Sequence, residues 1–431
     1  MLLSVLLAAF FISILITVHE FGHLAVAKLT RIPVEAFSIG FGPVILKFKL
    51  AETEYRLSLV PLGGYIKMVG EEETAAAPAP STPEVNIDGF STKPLWVKVA
   101  VIGAGPLSNL ILGFILLLTM YTAFGLKFLS PQIAIQDGTG AAAAGLKTGD
   151  LVVQAAGETI PSYERLEAIL GQKSGQQIAM TVLRNGQLLT LDYPVPHDEP
   201  DIEPLQTAII DRVRKGSPAA RIGLRPGDRI LSIANKKVES WQDFVATIGE
   251  NGGVTLPISW EREGRLFTDS ITPSLERDQM SEEKFGQVGV WVRLPKQSLA
   301  LPRAVWEAAR RTGYVVAQTY VILYKVVTRQ ISTRAIGGPI MVAKVAYEGA
   351  NWGAEYFLAL WALLSINLFV VNLLPVPVLD GGRILLDVIA GVRRRSLTRR
   401  ELNLAAGIGW AMIGLLVAFT FFNDIIRLVR R

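Results

Sequence analysis

Residues 1–27, 99–126, 356–379 and 402–422 hold one charged side chain between them, Glu20. A helix of about 20 apolar residues spans the roughly 30 Å of hydrocarbon in a bilayer, and each run is at least that long. Lipid offers the backbone no hydrogen-bond partners, so such runs cross it only as helices or closed barrels. The chain reads as a polytopic α-helical membrane protein with four transmembrane helices and the lipid bilayer as its solvent. Half of its 431 residues are hydrophobic, in agreement. The first run has no basic leader and no A-x-A-like cleavage site ahead of its polar cluster, so it is expected to remain as a span.

The formal net charge of +5 matters by location. "GVRRRSLTRREL" places five arginines between the third and fourth runs, which the positive-inside rule assigns to the cytoplasm. By parity the N-terminus and the segment between spans two and three lie outside. Lys28 and Arg31 agree with this orientation, and the terminal "RLVRR" runs against it. No nucleic-acid partner is expected. The absence of cysteine excludes a disulfide framework and cysteine metal sites.

Between residues 127 and 295 the composition becomes that of a soluble protein, and it repeats. "AAAAGLKTGDLVVQAAGETIPSYERL" aligns without gaps on "AARIGLRPGDRILSIANKKVESWQDF", 78 residues on. A repeat signals two copies of one unit. The Pro-rich, acidic linker "YPVPHDEPDIEP" separates 127–198 from 203–295. The G-L-x-x-G-D signature resembles bacterial PDZ domains, which bind extended peptide tails by adding a strand to a sheet edge. A spacer or sieve is the alternative reading. The first copy has "GTGAAAAGL" where the second has "GSPAARIGL", and this departure puts peptide binding by the first in doubt. Residues 301–350 begin with apolar and basic residues at helical spacing and are expected to form an amphipathic helical segment at the membrane surface.

Inside the first run lies "HEFGH". Residues four apart share a helix face, so His19 and His23 can offer two imidazole nitrogens to one metal ion, with Glu20 beside them to reach an activated water. The set suits Zn²⁺, whose catalytic sites take three protein ligands. For the third, His197 sits in the linker between the repeats, whereas Asp380 follows a span broken by Pro375 and Pro377 and precedes two glycines. Broken helices at membrane depth persist only where protein or water satisfies the freed backbone groups. Asp380 is therefore the better candidate, and both motifs lie toward the cytoplasmic ends of odd-numbered spans.

H-E-x-x-H in the first span, N-x-x-P-x-P-x-L-D-G in the third and tandem PDZ domains between them resemble the site-2 protease family of intramembrane zinc metalloproteases (peptidase family M50). The likeness runs essentially end to end. It implies a zinc metalloendopeptidase with His19, His23 and Asp380 as ligands and Glu20 as acid/base. It also implies a membrane-associated β-hairpin over 35–70 containing "GFGP" and "PLGGYIKM", with Gly63, Gly64 and Tyr65 at the substrate. The spans then cover 1–30, 97–126, 355–390 and 402–424. By the same resemblance the substrates are single-span membrane proteins of the bacterial inner membrane. Anti-sigma factors already trimmed on the outer side are expected among them, and signal-peptide remnants are a further class.

The hairpin also follows from the residues, since "EYRLSLVPLGGYIKMVG" and "PVILKFKL" alternate polar and apolar positions with period two. A strand edge could receive an unwound substrate segment, and Asn367 and Asn372 could bond its backbone; interhelical packing is their alternative role. Set against the protease is a catalytically silent membrane scaffold that binds peptide tails. The intact Glu20 speaks against it, because a structural zinc site needs no acid/base.

Overall fold

The computed structural model describes residues 2–71, 89–136, 138–198, 200–277, 284–330, 338, 341, 352–395 and 397–429. It divides into two compact units, one of Met1–Ala123 with Leu299–Arg431 and one of Phe124–Ser298.

In the first unit, helices α1 (Leu2–Leu29) and α2 (Leu95–Phe124) carry the first two apolar runs. Their crossing is close because the facing residues are small. A Cβ on Gly22 would lie 2.3 Å from the Ala104 carbonyl oxygen, and one on Gly105 would lie 2.1 Å from Nε2 of His23. Strands β1 (Val34–Leu50) and β2 (Thr53–Met68) connect the two helices. They form more than a plain hairpin, because each bends and pairs twice. Residues 36–39 lie between 54–57 on one side and 64–67 on the other, while 46–50 pair with 53–57. The ribbon is thus four strands wide, with 44–50 at one edge and 64–68 at the other. Its inner part packs on the first two helices through Leu24, Ile32, Val34, Phe37, Met68, Val97 and Val101. Its outer part leaves Ile45, Leu46, Phe48 and Leu50 exposed.

The second unit holds the repeats, and its two ends are stitched together by β3 (Leu126–Lys127) and β18 (Lys296–Gln297). In the first copy, β4 (Ile133–Ile135) and short helix α3 (Gly140–Ala143) precede β5 (Leu151–Ala155), β6 (Glu158–Thr159), α4 (Tyr163–Gln172), β7 (Gln177–Arg184), β8 (Gln187–Pro194) and β9 (Ile202–Pro204). The second copy repeats that order with β10 (Ile210–Val213), α5 (Pro218–Arg221), β11 (Arg229–Ile233), β12 (Lys236–Lys237), α6 (Trp241–Glu250), β13 (Leu256–Arg262) and β14 (Arg265–Ile271). It adds the pair β15 (Ser274–Arg277) and β16 (Lys284–Gln287) before β17 (Val290–Val292), which pairs with β10 as β9 pairs with β4. The main sheets have the same order, β6-β5-β7-β8 and β12-β11-β13-β14, each over its own buried core.

The copies also share one buried ion pair. Arg184 bonds Asp150 and the Gly145 carbonyl, and Arg262 bonds Asp228 and the Gly223 carbonyl, every partner 78 residues on. The departure at the start of the first copy leaves the helix cap alike in kind. Thr139 caps α3 by accepting from the Ala142 amide, as Ser217 caps α5 by accepting from Ala220. A hydroxyl of either kind satisfies the free amide of a first helical turn.

The chain returns to the first unit with α7 (Leu301–Val327), which buries Ala304, Ala308, Thr312 and Val315 and exposes Trp306, Tyr314, Val321 and Tyr324. The remainder of the 301–350 segment lies outside the described residues, Gly338 and Met341 apart. Helix α8 (Ala354–Asn372) carries the third apolar run only as far as Asn372. Pro375 and Pro377 have no amide proton, and each disfavours helix in the residue before it. The chain therefore doubles back through bonds from Val376 to Leu374 and from Leu379 to Val376. Helix α9 (Asp380–Arg393) then restarts. Gly381 and Gly382 press on the Leu373 and Val376 carbonyl oxygens, where a Cβ would come within 2.2 and 2.0 Å. Helix α10 (Arg399–Val429) holds the last apolar run. Among the described residues, four helices (α1, α2, α8 and α10) are long and apolar enough to cross a membrane, and α7 is not one of them.

Candidate metal centre

The helical spacing of "HEFGH" turns both imidazoles of α1 toward α2, and the break after α8 brings Asp380 to meet them. Nε2 of His19 is 3.2 Å from Nε2 of His23 and 3.1 Å from Oδ2 of Asp380, and Nε2 of His23 is 3.7 Å from Oδ1. Four ligands about 2.05 Å from a tetrahedral centre stand about 3.3 Å from one another. The three side chains therefore have the spacing that zinc requires. Both histidines are buried and Asp380 is half-buried.

The donor nitrogens point correctly for one of the two rings by direct observation. Nδ1 of His23 lies 2.8 Å from the Val101 carbonyl oxygen, which can only accept, so Nδ1 carries the proton and Nε2 keeps its lone pair. Room for that ring exists because position 105 has no side chain. Ser108 lies within hydrogen-bond distance of the Val18 carbonyl and ties α2 to α1 beside the motif.

Glu20 does not belong to the ligand cluster. It lies against the 64–68 strand: a Cβ on Gly64 would sit 3.3 Å from Glu20 Cγ, and the Ile66 amide faces its carboxylate. The other residues of that strand are structurally engaged. Gly63 packs under the Phe41 ring, which stacks on Tyr65, whose hydroxyl accepts from Arg56 at 3.0 Å.

Residues matching peptidase family M50 run from 7 to 416. The chain belongs to this family. It is 32% identical to the regulator of sigma-E protease RseP of Salmonella typhimurium, over 99% of this chain and 100% of that one. It is 30% identical to the RseP proteins of Escherichia coli and Yersinia pestis, over 98% of both chains in each case. This M50 peptidase is thus an integral membrane zinc metalloprotease.

The M50 site separates the two asparagines of α8. Five residues turn a helix by about 140°, so they cannot share a face. Asn372 reaches the site, its Nδ2 lying 3.4 Å from Nδ1 of His19. Asn367 instead accepts a 2.8 Å bond from Thr319 of α7. This bond serves interhelical packing, the alternative role of Asn367. His197 is exposed in the repeat unit, with its carbonyl oxygen bonded by Ser174, and takes no part in the ligand cluster.

Arg383 and Asn109 add to the site. Arg383, one turn after Asp380, pairs with Glu71 at the end of β2 and stacks over Phe90 at 5.0 Å. Together these hold the start of α9 against the hairpin. Asn109 of α2 is fully buried, with Nδ2 3.3 Å from Nδ1 of His19. The arginine after "LDGG" was the visible signal for the first, and Asn109 ends "GPLSN" (Gly105–Asn109), whose small residues also suit close helix packing.

Proposed function

We propose that this M50 peptidase cleaves single-span membrane proteins within the bilayer, with His19, His23 and Asp380 holding zinc and Glu20 moving the proton. The observation that carries the reading is the ligand triangle at zinc spacing, with a free carboxylate one residue along the helix and facing a strand. Zinc held there supplies Lewis acidity to a peptide carbonyl and makes water a nucleophile near neutral pH. Glu20 accepts the proton of the attacking water and returns it to the leaving amine.

A transmembrane helix hides its backbone in internal hydrogen bonds, so the scissile segment must unwind before it reacts. The 64–68 edge supports a place for it. Its inner side pairs with 34–39, and no strand pairs its outer side among the described residues. A substrate segment added along that edge lies beside Glu20, with Asn372 within reach of its backbone.

The arginines after α9 support an orientation with this end of the spans in the cytoplasm of a bacterial inner membrane and the repeat unit in the periplasm. The relatives' name, regulator of sigma-E protease, supports a substrate in sigma-factor control, and an anti-sigma factor trimmed first on the outer side is the substrate this reading takes. The test is reconstitution of the purified protein with a single-span model substrate. Cleavage that stops with a zinc chelator and returns with zinc is expected. Cleavage that survives chelation, or none under any condition, would overturn the reading.

A further inference from the structure

We infer that Asn109 is the residue that sets the tautomer of His19, with its carboxamide oxygen accepting the Nδ1 proton. The inference rests on the zinc reading above. If Nε2 of His19 binds metal, its lone pair is committed there, and the proton of the neutral ring must sit on Nδ1. That proton needs an acceptor. His23 has one in the Val101 carbonyl oxygen at 2.8 Å. His19 has no carbonyl at the same place; two carboxamides approach its Nδ1 instead, Asn109 at 3.3 Å and Asn372 at 3.4 Å.

The two asparagines differ in what else they can do. Asn372 is half-buried and stands at the edge of the site. Asn109 is wholly buried, and its Oδ1 is a buried oxygen with no hydrogen-bond partner. An unpaired buried acceptor beside a ring nitrogen that must donate is a matched pair in need of a half-turn about Cβ–Cγ. Oxygen and nitrogen of a carboxamide occupy equivalent places, and the bonding network decides between them. With Nδ2 toward His19, donor faces donor and Oδ1 stays unsatisfied; with Oδ1 toward His19, the ring is held with Nε2 aimed at the metal.

The backbone around Asn109 is fixed for this purpose. Its carbonyl oxygen accepts a 2.7 Å bond from Ser365 of α8, itself fully buried. One residue thus links the first three spans at the level of the ligand. Asn109 is a positioning residue, and Asn372 is left free to meet substrate.

Partners of metal-bound histidines typically change metal affinity by about 10–100-fold when removed. The experiment measures zinc affinity of the full-length protein by chelator competition, independently of cleavage. Asn109→Leu, which keeps the bulk and removes the acceptor, should weaken zinc by about 10–100-fold. Asn109→Asp, which keeps an acceptor oxygen, should hold zinc at least as tightly as the parent, and Asn372→Leu should leave affinity unchanged. Wild-type affinity in Asn109→Leu, or equal losses in Asn109→Leu and Asn109→Asp, would overturn the assignment. Loss in Asn372→Leu alone would transfer the role to Asn372.

His19→Ala separates the failures: if it binds zinc normally, the zinc reading itself falls. Should the Asn109 variants fail to fold, the parent still decides. With only three histidines in the chain, ¹⁵N-histidine spectra of the zinc-loaded protein resolve the ring nitrogens. The expected result is a protonated Nδ1 on His19, and an unprotonated one overturns the proposal.

Discussion

In the repeat unit, histidine and aspartate serve the fold or the solvent; in the membrane unit the same residue types gather into one cluster able to hold a metal ion. Asp150 and Asp228 are buried, but each meets an arginine and a backbone amide that neutralise and satisfy it. His197 is exposed to water. Asp380 meets two imidazoles instead, while the nearby cation, Arg383, is taken by Glu71. The outer surfaces differ in the opposite sense. The repeat unit keeps large apolar groups such as Phe244 and Ile258 inside, whereas the membrane unit exposes Leu404, Trp410 and Leu415 on its last helix. Where hydrocarbon is the solvent, apolar groups gain little by turning inward while ionisable ones are costly to expose, and those held inside point to function.

The largest expected contrast sets an aspartate of the membrane unit against the histidine of the repeat unit. Asp380→Ala should lose both zinc and proteolysis, because two imidazoles alone hold the ion poorly. His197→Ala should change neither. Zinc content and cleavage of a model substrate check both variants, and metal loss in His197→Ala would mean that the ligand set is wrong.

Within the membrane unit the next contrast separates holding metal from moving protons. Glu20→Gln should slow cleavage by about 10²–10⁴-fold, the usual contribution of a general acid/base. Zinc content should stay at the level of the parent. Zinc that disappears together with activity would move Glu20 into the ligand shell.

Breaking a repeat arginine probes the other side of the comparison. Arg262→Leu leaves Asp228 buried and unpaired, which costs about 3–5 kcal/mol. Arg184→Leu should cost the same in the first copy, since each pair has the same three partners. Hydrogen exchange on the full chain should show faster opening within the affected copy and unchanged protection around His19 and His23. Protection lost in both units alike would contradict the division.

These contrasts follow the limits of what was legible from residues alone. The spans could be read because twenty uncharged residues need no partner to be recognised, and His19 and His23 because four residues make one helical turn. Asp380 was legible through the prolines and glycines that force a turn. The doubly paired hairpin was not, since period-two alternation fits a two-stranded ribbon equally well and says nothing of register. Nor was the Arg383–Glu71 pair, whose members lie 312 residues apart. The difference between "GTG" and "GSP" leaves the helix cap alike in kind, because threonine and serine each accept the same amide.

A smaller effect lies in the substrate. If the 64–68 edge takes only an extended strand, cleavage should depend on how easily the substrate helix opens. Glycine is about 1 kcal/mol worse than a good helix former, so each Gly→Leu exchange near the cut should slow cleavage by about fivefold. Equal rates for an all-leucine span would remove unwinding from the mechanism.

The smallest effect tests whether the repeat unit recruits substrate or excludes it. Its two ends leave through paired strands, Leu126–Lys127 against Lys296–Gln297. Antiparallel partners lie about 5 Å apart, so a short flexible linker can replace the unit without pulling on α2 or α7. The comparison needs two substrates, one with its outer domain intact and one already trimmed. A sieve predicts that the shortened protein cuts the intact substrate, which the parent refuses, while the trimmed one changes by no more than a few-fold. Loss of cleavage of the trimmed substrate, with zinc still bound, would instead make the repeats a recruiting surface and give the second unit a share in substrate binding.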